Sequence, residues 1–168
     1  MEDDPLRSLD LVDRRILNML QEDGSITNVE LARRLGLAPA TTLDRVRKLR
    51  VNGYILKYVA LLDGRKLNRN TIAFVNVSLG AHGADRVEAF RAHIQDLPEV
   101  LECYHVSGDS DFLLKILTSD IGAYENFLLT RLTRTSDIAR IHTSFVLSTV
   151  KHETRIPIEE IDDSSEKS

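Results

Sequence analysis

A chain of 168 residues with 42% hydrophobic and 29% charged side chains can form one domain or two small ones, and it is too apolar for a disordered acidic chain. No apolar run approaches the ~20 residues of a membrane span, the acidic start "MEDDPLRSLD" lacks the parts of a secretory signal, and the single Cys103 allows neither an internal disulfide nor a multi-cysteine metal pattern. The formal net charge of −4 hides an asymmetry: residues 1–66 hold 12 Lys/Arg against 10 Asp/Glu, whereas residues 67–168 hold 10 against 16. A reduced cytoplasmic setting is expected, with a front half that permits a polyanionic partner and an acidic rear half.

In chain order, "DLVDRRILNMLQEDG" places Val12, Ile16 and Leu20 on one helical stripe with Leu17 beside it, Asp10 as N-cap and Gly24 as the stop. "TNVELARRLG" opens with Thr27 and Glu30 at capping-box spacing and closes on Gly36, with Val29, Ala32 and Leu35 as its apolar face. Pro39 suits the first turn of a third helix, closed by Gly53, in which Leu43 and Val46 point inward with Leu49 nearby. "YILKYVALL" and the turn "DGRK" then supply a small β-wing, which makes a winged helix-turn-helix.

The third helix concentrates charge, with Arg45, Arg47, Lys48 and Arg50 within six positions. With Leu43 and Val46 inward, Ala40, Thr41, Thr42, Arg45 and Lys48 turn to other faces, and small residues at the start allow close approach to a groove. Thr41 and Thr42 suit base edges or phosphates and Arg45 suits bidentate pairing with guanine. Arg47, Lys48 and Arg50 suit phosphates, which position without specifying. Asn28 on the second helix joins these as a DNA-binding candidate. The competing reading is a small helical bundle with a solvated basic face.

Further on, "NTIAFVNVSLG" alternates as a strand, with Ala73, Val75, Val77 and Leu79 on one face and Ile72 and Phe74 on the other. "DRVEAFRAHIQDL" is an amphipathic helix through Val87, Phe90, Ile94 and Leu97. "EVLECYHVSG" and "DFLLKILTS" are strands joined by the turn Gly108-Asp109-Ser110-Asp111. "IGAYENFLLTRLTR" is a second helix and "DIARIHTSFVLSTVK" a last strand. The order βαββαβ predicts a ferredoxin-like α+β sandwich. Phe112, Leu114 and Ile116 alternate with Leu113 and Leu117, and Ile141, Phe145 and Leu147 with Val146 and Val150, so both sheet faces are apolar. Two helices cover one face only, and the other predicts a homodimer through the sheets.

The stretch "LDLVDRRILNMLQEDGSITNVELARRLGLAPATTLDRVRKLRVNGYI" resembles the Lrp/AsnC family of leucine-responsive, or feast/famine, regulators, and "ECYHVSGDSDFLLKI" resembles the glycine- and aspartate-bearing segment of that family's rear domain. The two matches run from about residue 9 to 150. Two positions depart from the pattern: Ala38 stands where a serine usually caps the recognition helix, and Arg50-Val51 replaces an acidic residue. The resemblance implies a transcription regulator that binds double-stranded DNA, with dimers assembling to octamers or larger rings, and an amino-acid effector held at Gly108, Asp109, Ser110 and Asp111 with Ile141, His142 and Thr143 opposite. A plain Asp/Gly/Ser hairpin turn remains the alternative for that loop.

No "GxxxxGK[ST]" loop, "GxSxG" elbow or "HExxH" helix is present, so no catalytic residue, metal ligand or cofactor is assigned beyond the free amino acid. His105 and His142 on neighbouring strands would be a weak metal candidate, and Cys103 suits an apolar filler. The expected layout is a DNA-binding domain at 1–60, a linker at 61–70, an effector and oligomerisation domain at 71–156 and a disordered tail at 157–168. The rivals to an effector-responsive regulator are an amino-acid-metabolising enzyme or allosteric subunit, and an effector-independent architectural DNA-binding protein.

Overall fold

A computed structural model describes residues 9–80, 83–134 and 138–160. The chain forms two compact units, one of residues up to Leu61 together with those from Lys151 onward, the other Leu62–Val150.

The first unit contains α1 (Leu11–Glu22), α2 (Asn28–Leu35) and α3 (Pro39–Val51). Asp10 caps α1, accepting from the Asp13 amide at 2.8 Å, and Asp23 rather than Gly24 closes it. Thr27 caps α2, accepting from the Glu30 amide. The Glu30 carboxylate turns to Arg33 and Arg34 instead of back to the cap. Gly36 ends α2 with φ 68°, the left-handed conformation a glycine adopts without Cβ strain. The core is Leu9, Ile16, Leu17, Leu31, Val46 and Leu49, with Val12, Leu20 and Leu35 partly buried against it. Val29, expected inside, is 67% exposed, and Leu31 takes its place. The expected wing differs as well. Among the described residues, 54–63 take no strand, and Gly64–Leu67 form a 3-10 turn capped by Asp63.

The second unit runs β1 (Thr71–Leu79), α4 (Ala84–Gln95), β2 (Val100–His105), β3 (Phe112–Thr118), α5 (Ile121–Thr130) and β4 (Ile138–Phe145). The sheet order is β2-β3-β1-β4, antiparallel throughout, which is the expected ferredoxin-like βαββαβ arrangement. Ala73, Val75 and Val77 of β1 and Phe112, Leu114 and Ile116 of β3 are buried with Phe90, Ile94, Tyr124 and Phe127 of the helices. Each large side chain so buried contributes about 1.5–3 kcal/mol relative to exposure. The opposite face presents Ile72, Phe74, Leu113 and Leu117, of which Phe74 is 37% exposed. The last strand is shorter than expected: it stops at Phe145, and Leu147 and Val150 are almost fully exposed.

By contacts the chain after the last strand groups differently from the expected 71–156 unit. Residues 151–160 group with the first unit, where Arg14 and Asn18 of α1 bond to the carbonyls of residues 159 and 158. Residues 161–168 lie outside the described residues.

Candidate functional site

Helix α3 begins without a side-chain cap at Ala38, with Pro39 in its first turn. Its buried stripe is Thr42, Val46 and Leu49. Leu43, expected inside, is 51% exposed, while Val46 and Leu49 are buried as expected, so Thr42 replaces Leu43 and the buried stripe is turned by roughly 30° from the hydropathy reading at 3.6 residues per turn. Thr42 therefore lies off the exposed face of α3 in this structure. It is fully buried, and its hydroxyl donates to the Ala38 carbonyl at 3.3 Å, which satisfies the polar group and lets it pack as a small apolar one.

Arg45 is half-buried beside the second groove and is paired within the first unit. Its Nη1 lies 2.6 Å from Asp10 Oδ2 and 2.8 Å from Asp13 Oδ1, tying α3 to the start of α1. Burial pushes the Asp10 carboxyl up, but the Asp13 amide and the Arg45 guanidinium outweigh it and hold the group below the usual carboxylate range. In this arrangement the Arg45 guanidinium is engaged by two carboxylates of α1.

The remaining candidates, Ala40, Thr41, Arg47, Lys48 and Arg50, are exposed, as expected for a contact face. The stripe opposite the core runs Ala40, Asp44, Arg47, Val51. Thr41 and Lys48 flank it on one side, Leu43 and Arg50 on the other. Asn28 of α2 is half-buried and lines a groove of ≈ 710 Å³ together with Asp44, Arg47, Arg50 and Tyr58. A second groove, of ≈ 440 Å³, brings together Thr41, Asp44, Lys48 and Asn52. Asp44 lines both grooves and was not among the sequence candidates. The 40/44/47/51 spacing would have shown it at the centre of the outer face.

In the second unit, the loop joining β2 to β3 is bound to the end of β1. Asp111 N donates to the Val77 carbonyl at 2.9 Å, Asp111 Oδ2 accepts from the Leu79 amide at 2.7 Å, and Ser110 Oγ donates to Asn76 Oδ1. The Asp109 carbonyl accepts from Ser78 Oγ and from Arg140 Nη2 of β4. Gly108 has φ 120° and Asp109 is exposed. His142 faces Asn76 across the β1–β4 ladder on the open side of the sheet. Ile141 and Thr143 pair with Val77 and Val75 and so share the helix-covered side, where Thr143 Oγ1 meets the Tyr124 hydroxyl at 2.5 Å. Of the expected effector set, Gly108, Asp109, Ser110, Asp111 and His142 therefore gather at one end of the open face, and the side chains of Ile141 and Thr143 do not.

His105 belongs to edge strand β2 and stacks on Phe112, whereas His142 lies on the other edge strand, so the two do not form a metal pair. Among the described residues no group of three or more His, Cys, Asp or Glu is placed to hold a metal ion. Burial pushes the Cys103 thiol up from its ordinary value, in keeping with a packing role beside the core. No helix of the described residues is long and apolar enough to cross a membrane.

Comparison with known proteins agrees with this two-part construction. The winged helix-turn-helix DNA-binding profile matches residues 9–55, and the Lrp/AsnC ligand binding domain profile matches residues 72–156. The leucine-responsive regulatory proteins of Salmonella typhimurium and Escherichia coli K12 are each 42% identical over 154 residues, covering 92% of this chain and 94% of theirs. A transcriptional regulator from Neisseria meningitidis, solved as an L-Met complex, superposes with a TM-score of 0.84 at 38% identity over 89% of this chain and 96% of its own. An AsnC family transcriptional regulator from Agrobacterium tumefaciens gives 0.83 at 34% identity, covering 89% and 97%.

A helix-turn-helix with a cationic third helix, carried on the same chain as a ligand-binding sandwich, defines the class of DNA-binding transcription regulators. The chain belongs to the Lrp/AsnC family of that class.

Proposed function

We propose that the protein recognises a specific duplex sequence through the outer face of α3 and that a free amino acid held at the 108–111 loop modulates this binding. The carrying observation is that Thr41, Asp44, Arg47 and Lys48 are presented together on α3 while Thr42, Val46 and Leu49 hold the helix to the core. Arg47, Lys48 and Arg50 neutralise phosphates, Thr41 and Asn28 make polar contacts, and Ala40 permits close approach. Asp44, an acceptor amid donors, suits the exocyclic amino group of cytosine.

At the loop, the exposed Asp109 carboxylate suits the effector's ammonium, while loop amides and His142 suit its carboxylate. Asp111 and Ser110 shape the loop through their bonds to β1. The L-Met complex of the Neisseria regulator supports an amino acid as the ligand class. The open sheet face, with Phe74, Leu113 and Leu117, suits burial against a second copy, and a dimer would offer two α3 helices to a two-fold site. Assembly of dimers into octamers is the route by which effector binding would reach DNA, through a change in the mutual placement of dimers.

The test is duplex retardation by the purified protein at moderate salt, repeated across the common amino acids, with oligomer mass followed in parallel. Saturable, sequence-dependent retardation altered by at least one amino acid supports the reading. Retardation unaffected by any of them favours an architectural protein, and none at all points away from DNA.

A further inference from the structure

The outer face of α1 carries a ladder of side-chain amides and a guanidinium that engages main chain. Arg14 Nη1 donates to the Glu159 carbonyl at 3.2 Å, Asn18 Nδ2 to the Ile158 carbonyl at 3.1 Å and Gln21 Nε2 to the Ile156 carbonyl at 3.0 Å. The Ile156 amide in turn donates to Gln21 Oε1 at 2.6 Å. Positions 14, 18 and 21 fall on one helical stripe. They meet the carbonyls of residues 156, 158 and 159 in a segment that has no regular secondary structure and so leaves its carbonyls open to outside partners. Ion pairs close both ends, Arg15 with Glu160 and Glu22 with Arg155, and Ile158 packs against the first unit's core.

We propose that α1 is a peptide-docking surface whose ligand is the chain's own segment 155–160, a detachable strap that completes the first unit. Three features argue for docking that is specific yet reversible. Arg14 and Asn18 are each only 6% exposed with the strap in place, where its carbonyls take the place of water on Arg14 Nη1 and Asn18 Nδ2 while Arg14 Nε stays on the Leu9 carbonyl. Asn18 Oδ1 is buried without a hydrogen-bond partner among the described residues, which favours exchange with water. Except for Ile158 the strap is itself exposed, and Lys151–Thr154 before it are exposed and irregular, so its ordering is offset by few buried contacts. The occupant is recognised as an extended backbone with a branched apolar side chain followed by a carboxylate.

This inference goes beyond the regulator reading, and its test needs neither DNA nor effector. Full-length protein, protein ending at Val150 and a full-length Ile158→Asp variant are compared by amide hydrogen exchange over residues 14–22. A peptide of residues 151–160 is then added to the truncated chain. The expected result is exchange at least about tenfold faster in both altered proteins, with protection restored saturably by the peptide and not by its Ile158→Asp form. Should the truncated chain fail to fold, the full-length Ile158→Asp comparison decides alone. Unchanged exchange in that variant, or a folded truncated chain that the peptide does not protect, overturns the proposal.

Discussion

Arg45 of α3 and Asp13 of α1 meet at 2.8 Å, with Asp10 completing the clamp at 2.6 Å. The residue that looks most like a base reader in the sequence thus holds the reading helix to its support. Arg45→Ala is expected to destabilise the first unit by about 1–2 kcal/mol, discounted for the partial exposure of the pair. Denaturation of Arg45→Ala, Asp13→Asn and the double variant should show strong non-additivity. Site preference should persist wherever the variant is folded, and altered base discrimination in a fully folded variant would return Arg45 to the DNA face.

Thr41 and Thr42 are expected to separate. Thr42→Val removes only a local back-bond from a buried position and should alter stability by no more than about 1 kcal/mol, with DNA affinity unchanged. Thr41→Val should weaken duplex binding at unchanged stability. Fluorescence anisotropy beside thermal melting checks both.

Arg47→Ala and Lys48→Ala should each weaken binding to all sequences similarly and reduce the slope of log K against log salt by about 0.9 for each phosphate no longer neutralised. Asp44→Asn should instead change the preferred base at one position, as read by binding to a randomised site.

Ala38→Ser should give α3 the side-chain cap it lacks and raise stability by about 0.5–2 kcal/mol. Tighter DNA binding is expected alongside, because the first turn carries Ala40 and Thr41. Calorimetric melting with and without duplex tests the pair of effects.

Acid should loosen the first unit through Glu30. Hydrogen bonds from Arg33, then Arg34, lower its carboxyl from 4.5 to about 2, against a small opposing effect of burial. A depressed folded-state value means this stabilisation is fully present above about pH 4.5 and is lost as pH falls toward 2. Asp10 shifts in the same direction. Glu30→Gln should therefore flatten the pH dependence of unfolding in that window, and an unaltered slope would discount the Arg33 and Arg34 contacts.

The element order and the inward face of the sheet were legible because strand alternation is strict: Ala73, Val75, Val77 and Leu79 all turn inward as their spacing predicts. The rotation of α3 was not, because hydropathy prefers Leu43 to Thr42, and only the bond to Ala38 shows how a hydroxyl comes to lie in the core. The pairing of Arg45 with Asp10 and Asp13 left no trace in the sequence because the partners lie more than thirty positions away. The effector set mixed Ile141 and Thr143 with His142, although neighbours on a strand face opposite ways. The segment 155–160 left no periodic trace, since its carbonyls make most of its contacts.

Because the first unit draws on both ends of the chain, its last piece leaves the ribosome only after the whole sandwich has been synthesised. A nascent chain therefore displays the α1–α3 helices before the carbonyls of residues 156, 158 and 159 have reached Gln21, Asn18 and Arg14. A recombinant chimera cut at the 61/62 joint would set α1 against another protein's C-terminal segment. Swapping the DNA-reading half between relatives calls for two crossovers, not one.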